Sequence, residues 1–109
     1  MDRELERRVA ANEDIFRRVN EGIERGRWPN EPDAKISFRC ECARLGCNRL
    51  LSLTRAEYEG VRAHPRHFVL LAGHELPALE RVIDRRGEIL IVEKTGEGGE
   101  QAESLDRRS

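Results

Sequence analysis

An α+β fold is predicted for this 109-residue chain by three features: a helix-period apolar stripe before residue 26, short alternating or apolar runs separated by turn residues after residue 34, and three cysteines packed into the eight positions from Cys40 to Cys47. The arrangement expected is an N-terminal amphipathic helix followed by a small zinc-stapled domain of β-hairpins and one short helix. By pattern the chain divides into a helix and loop over 1–34, a zinc-stabilised domain over 35–94 and a disordered acidic tail over 95–109.

The helix is read from Glu4 to Arg25. Leu5, Val9, Asn12, Phe16, Val19 and Ile23 advance by fours and threes, and Ile15 widens the stripe into a docking face more than a coiled-coil seam. On its polar side Glu4–Arg8, Glu13–Arg17, Asp14–Arg18 and Glu21–Arg25 each place the acid four residues before the base, the favourable order. Gly26 suits the C-terminal end, and "GRWPNEPD" reads as a loop whose Trp28 folds back as a lid over the core.

In "KISFRC", Ile36, Phe38 and Cys40 share one face of a strand, and "NRLLSL" supplies its antiparallel partner, which puts the cysteines in the turn of a hairpin. "LTRAEYEGVRAH" opens a helix with a capping box, Thr54 at the N-cap and Glu57 three residues on, burying Leu53, Tyr58 and Val61 until Pro65 ends it. "HFVLLA" reads as a buried strand stopped at Gly73. "LERVIDRRGEILIVEK" reads as a hairpin turning at Arg86-Gly87, because its apolar residues are mostly β-branched. The remainder, "TGEGGEQAESLDRRS", has three glycines, four acids and no apolar period, the signature of a disordered tail.

Composition limits what the thiols can be for. With 38% apolar, 5% aromatic and 38% charged residues, one domain of this size has a modest core that gains from a staple. "MDRELERR" is charged from its second residue and shows no secretory pattern, and the longest apolar run, Phe68 to Ala72, is far short of the roughly 20 residues of a membrane-spanning helix. A cytoplasmic protein with reduced thiols and no membrane partner is expected.

Cysteines two apart on a strand end project to one side, and Gly46 allows the chain to turn back before Cys47. A disulfide is disfavoured by the compartment, by the odd number and by the poor placement of strand neighbours two apart. Three converging thiolates suit zinc, for which a closed structural site requires a fourth ligand. His74, just past a glycine at the end of a buried strand, is the first choice for it. His67, His64, Glu41, Glu75 and water are the alternatives.

The order of "ANEDIFRRVNEGIE", "FRCECARLGC", "LTRAEYEGVRAHPRHF", "AGHELPALERV" and "ILIVEKTGEGGE", spanning about residues 11–100, resembles a group of small uncharacterised actinobacterial proteins. The resemblance implies a Gly-His-Glu triplet at Gly73, His74 and Glu75 and so supports His74 as the metal partner. Ala72 stands where others carry proline. No activity comes with the likeness.

Charge is uneven: net −2 over residues 1–34, +4 over 35–86 and −3 over 87–109. Arg39, Arg44, Arg49, Arg55, Arg62 and Arg66 lie in the basic middle. A protein partner is expected at this arginine-rich face or at the N-terminal helix, with the chain a monomer or weak homodimer. Nucleic acid is not favoured, since neither a strongly basic balance nor aromatic platforms are present. The function expected is a non-catalytic interaction or regulatory module with a structural Cys3His zinc site at Cys40, Cys42, Cys47 and His74. The alternative is a thiol-based redox switch that releases zinc on oxidation. A zinc hydrolase, with Glu41 or Glu75 as base, is disfavoured because sulfur ligands make zinc a poor Lewis acid and no H-E-x-x-H or H-x-E pattern occurs.

Overall fold

In the computed structural model, which describes residues 3–26, 34–42, 44 and 47–106, the chain is α+β. Helix α1 (Arg3–Arg25) precedes strands β1 (Ile36–Arg39) and β2 (Leu50–Leu53). Helix α2 (Arg55–Arg62), strands β3 (His67–Leu71), β4 (Glu80–Arg86) and β5 (Ile89–Lys94), and helix α3 (Gly96–Leu105) complete the order. Trp28, Gly46 and the side chain of Leu5 lie outside the described residues. Among the described residues no helix is long and apolar enough to cross a membrane.

Strands β1 and β2 pair antiparallel, Ile36 against Leu53 and Arg39 against Leu50, forming the hairpin expected around the cysteines. The second sheet has the order β3-β5-β4, all antiparallel, and its β4–β5 hairpin turns at Gly87, whose φ of 62° falls where glycine is favoured. The Thr54–Glu57 capping box is present in both directions, and Tyr58 and Val61 are buried behind it.

Strand β3 explains why "HFVLLA" is an unbroken apolar run. Val69 packs with Ile36, Phe38, Leu51, Leu53 and Tyr58, while its neighbours Phe68 and Leu70 point the other way into a cluster with Cys40, Cys42, Leu90, Val92 and Ala102. Alternate residues of one strand therefore serve two cores. Phe38 stacks on Tyr58 with ring centroids 4.4 Å apart.

Helix α1 docks through a different face from the expected one. Glu13, Arg17, Asn20 and Glu24 are buried, whereas Ile15 and Val19 are 56% and 39% exposed and Phe16 and Ile23 are half-buried. This face is one residue, or about 100°, round from the apolar stripe. The reason is a set of fixed partners on other elements. Arg17 donates to the carbonyls of Pro65 (2.7 Å) and Ala102 (3.3 Å), pairs with Asp14 at 3.2 Å and lies over the Phe68 ring at 4.5 Å. Of the expected ion pairs, Arg8–Glu4 and Arg18–Asp14 form. Glu13 instead meets Lys94, and Glu21 meets Arg62.

The segment expected to be a disordered tail is helix α3, packed against α1. One of the glycines that suggested disorder permits close approach: a Cβ on Gly99 would meet Arg66 Nη1 at 2.5 Å and the Lys94 carbonyl oxygen at 2.8 Å. Ala102 is fully buried, Arg66 pairs with Glu103, and buried Arg62 holds Asp106 at 2.9 Å just past the helix.

Lys94, wholly buried, lies 2.8 Å from Glu13 Oε1 and 3.2 Å from Glu80 Oε2. Two carboxyls and one ammonium total −1, which is costly without water, and burial followed by repulsion from Glu80 pushes the Glu13 carboxyl well above its usual range. Glu13 therefore keeps a proton and leaves a neutral cluster. A raised folded-state pKa stabilises fully below the ordinary carboxylate range and loses that contribution as pH rises through the folded value. Glu13→Gln, which cannot ionise, should gain stability relative to the parent as pH is raised from 5. Urea titrations across that range check it, and a constant difference between the two proteins would show that Glu13 does not titrate there.

Candidate metal centre

The hairpin ladder continues one step past β1, with the Cys40 N–H donating to the Arg49 carbonyl at 3.0 Å, so the chain enters the cysteine segment in extended form. Cys40 and Cys42, two apart, are both buried, and the Cys47 N–H closes a turn onto the Arg44 carbonyl at 3.1 Å, bringing the third sulfur back. His74 arrives from the other sheet. Its N–H donates to the Leu71 carbonyl at 3.0 Å across a turn in which Gly73 takes a φ of 94°, and the Gly73 N–H donates to Glu75 at 2.7 Å.

These segments bring Cys40, Cys42, Cys47 and His74 together, with one possible ligand atom from each lying within 4.8 Å of the others. His74 Nδ1 is 3.6 Å from Cys40 Sγ and 3.7 Å from Cys47 Sγ. A tetrahedral centre with zinc–sulfur bonds of about 2.3 Å and zinc–nitrogen bonds of about 2.0–2.1 Å has a sulfur–nitrogen edge of about 3.6 Å. Both distances match that edge, and the four groups could hold a metal ion.

The other two histidines are elsewhere. The His64 and His67 rings meet at a 40° tilt with centroids 4.4 Å apart, and His67 Nε2 lies 3.2 Å from Glu93. His74→Ala should therefore weaken metal binding by more than the about 10–100-fold that loss of an outer hydrogen-bond partner costs, with His64→Ala and His67→Ala unchanged. Competition with a chromogenic chelator at equal protein concentration reads the difference. A loss in His64→Ala or His67→Ala with His74→Ala intact would move the fourth ligand.

Backbone N–H groups surround the sulfurs. Leu71 donates to Cys40 Sγ at 3.3 Å, joined by the Cys42 N–H, while the Arg44 and Arg49 N–H groups face Cys42 and Cys47. Such donors favour thiolate over thiol. Burial opposes them without a cation, pushing Cys40 up and Cys42 up to about 12. At Cys47 burial also acts upward, but the Arg49 N–H, the neighbouring thiols and the Arg39 guanidinium outweigh it, so this thiol lies below its usual value and ionises first. Burial, with Arg44 and Arg49 nearby, lowers His74, so its ring is neutral and free to donate a lone pair at neutral pH. Three thiolates around a divalent ion would leave −1, and the guanidiniums beside the site include Arg39, which donates to the Cys47 carbonyl, and Arg44, which donates to the Gly73 carbonyl, both at 2.9 Å.

Asn20, which sequence reasoning missed, and Glu41, whose role it did not foresee, hold the centre in place. Glu41, between two of the cysteines, is fully buried. Its carboxylate accepts from Tyr58 (2.7 Å), Asn20 (2.9 Å) and the Val69 N–H (3.1 Å), and its own N–H donates to the Val69 carbonyl at 2.9 Å. Asn20 also brackets Arg39, donating to its carbonyl at 2.8 Å and accepting from its N–H at 2.7 Å. The cysteine segment is thus tied to α1, α2 and β3 at one carboxylate. Only the unusual placing of an acid between two buried cysteines hinted at this. Glu41, named as a possible base, has its oxygens engaged by these donors. Comparison with protein-family models, curated proteins and solved structures finds no match.

Proposed function

We propose that the chain is a small cytoplasmic protein whose Cys3His site binds one structural zinc ion and which acts as a non-catalytic interaction or regulatory module. The observation that carries this reading is the pair of sulfur–nitrogen distances, 3.6 and 3.7 Å, equal to the edge of a zinc tetrahedron. Three thiolates and an imidazole form a donor set that suits zinc in that geometry. When bound, zinc would supply folding free energy by joining the β1–β2 hairpin to the turn after β3. Four protein ligands leave no position for water or substrate, and Glu41 and Glu75 are both engaged by hydrogen bonds, which supports a non-catalytic role. A protein partner would meet the side of α1 that carries Ile15 and Val19, or the arginines around the metal.

Protein expressed in ordinary medium should contain one zinc per chain by elemental analysis. A ratio near zero in a folded sample would end the zinc reading. The redox alternative draws on Cys47, the only partly accessible sulfur of the three. Mild peroxide that releases zinc reversibly, with refolding on reduction, would favour it over a constitutive staple.

A further inference from the structure

Most described lysines and arginines stand against a carboxylate, including the buried Arg62 and Lys94. Arg44, Arg49 and Arg85 have no carboxylate within ion-pair distance among the described residues, although the chain has 21 acidic groups to 20 basic ones. Arg44 is committed to the Gly73 carbonyl. Among the described residues the Arg85 guanidinium bonds only through its Nε, to the Gly87 carbonyl, which leaves its terminal nitrogens available. Arg49 and Arg85 line the same cleft of 330 Å³, which the end of β3 contributes to through Leu71, Ala72 and His74 and which Glu88 completes.

We infer that this cleft is a binding site for a phosphate group, either inorganic phosphate or a small phosphate monoester, held between the guanidiniums of Arg49 and Arg85. Guanidinium is planar and offers paired donors that match two oxygens of a tetrahedral oxyanion. Two arginines without an ion-paired acid, set against the single carboxylate of Glu88, give the cavity lining a net positive charge. His74 adds a third donor. Its Nδ1 faces the sulfurs, so with a metal on that atom the proton resides on Nε2, the remaining ring nitrogen of a residue that lines the cleft. Only this third donor rests on the metal reading; the two arginines act without it.

Glu88 gives the cleft selectivity. A carboxylate repels a fully deprotonated anion but accepts a hydrogen bond from one that still carries a proton. A phosphate monoester, with a second pKa near 6, retains a protonated fraction near neutral pH, and inorganic phosphate keeps at least one proton throughout that range, whereas sulfate keeps none. Phosphate should therefore bind in preference to sulfate, more so as pH falls from 7.5 towards 6.

The test is an NMR titration of the full chain, its zinc content measured beforehand, with phosphate, sulfate and O-phosphoserine at constant ionic strength adjusted with chloride. Saturable shifts centred on Leu71, Ala72 and His74 are expected, with phosphate tighter than sulfate. Arg49→Gln and Arg85→Gln should each weaken phosphate by about tenfold or more, since each removes a charged donor, while leaving zinc content unchanged. Glu88→Gln should bring sulfate level with phosphate. Tighter binding of O-phosphoserine than of inorganic phosphate identifies an ester as the ligand class, and the reverse order identifies the free ion. Absence of saturable shifts in a zinc-loaded sample, or binding unaffected in the Arg49→Gln/Arg85→Gln double variant, overturns the site. Equal affinity for sulfate and phosphate in the parent overturns the role of Glu88. Saturable phosphate binding in a zinc-free, folded sample upholds the arginine pair while the zinc reading fails.

Discussion

Replacing any one of Cys40, Cys42 or Cys47 by serine should release the metal and unfold residues 35–94. In small zinc-finger peptides the apparent binding free energy is about 10–16 kcal/mol, comparable to or larger than the whole stability of a typical domain, about 5–15 kcal/mol. The architecture makes the loss global. Cys40 and Cys42 are part of the core cluster with Phe68, Leu70 and Val92, and a metal held by the four ligands would link that cluster to the turn carrying His74. Helix α1 should come away as well, because Asn20 holds it to the backbone of Arg39 and to the Glu41 carboxylate, and most of a helix's stability in a protein comes from such tertiary contacts. Loss of amide dispersion in the NMR spectrum together with loss of zinc would bear this out. A variant that keeps both its metal and its melting temperature would remove that cysteine from the ligand set.

The next largest effect is expected at Lys94, a position remote from the thiols. Lys94→Ala should cost about 3–5 kcal/mol, the usual range for removing one partner from a buried ion pair, because the carboxylate of Glu80 is left without a countercharge. The same cluster joins β5 to α1 through Glu13, so the damage should reach the helix. Glu80→Gln in the Lys94→Ala background removes the stranded charge, yet can still accept the Leu76 N–H that Glu80 Oε1 accepts at 2.9 Å. It should recover part of the loss in chemical denaturation. A double variant no more stable than Lys94→Ala would show that packing of the lysine stem, and not charge, sets the cost.

Much of the fold was legible because it is local. Thr54 and Glu57 cap α2 with atoms only three residues apart, and β1 declares its inner face through Ile36, Phe38 and Cys40. His74 was separable from His64 and His67 by its place after a glycine at a strand end, aided by the Gly-His-Glu likeness. The docking face of α1 was not legible. An apolar stripe was visible, but which side of a helix is buried depends on what it meets, and here it meets the Pro65 carbonyl, Lys94 and the Arg39 backbone, between 19 and 81 residues away in sequence. Helix α3 was hidden for a related reason: Gly98, Gly99 and Ala102 resemble a flexible tail until packing buries them and the Lys94 backbone leaves no room for a side chain at Gly99.

By itself the sequence determined the α+β class, the β1–β2 and β4–β5 hairpins, and the donor chemistry of three thiols and one imidazole. These depend on side-chain period, on turn geometry and on ligand type, all carried by residues close together in the chain. Only the tertiary structure decided that Glu13, Arg17, Asn20, Glu41 and Lys94 are interior residues. A buried charge is tolerable solely when its counterpart is in place, and that counterpart is supplied by a distant element whose position no local pattern encodes.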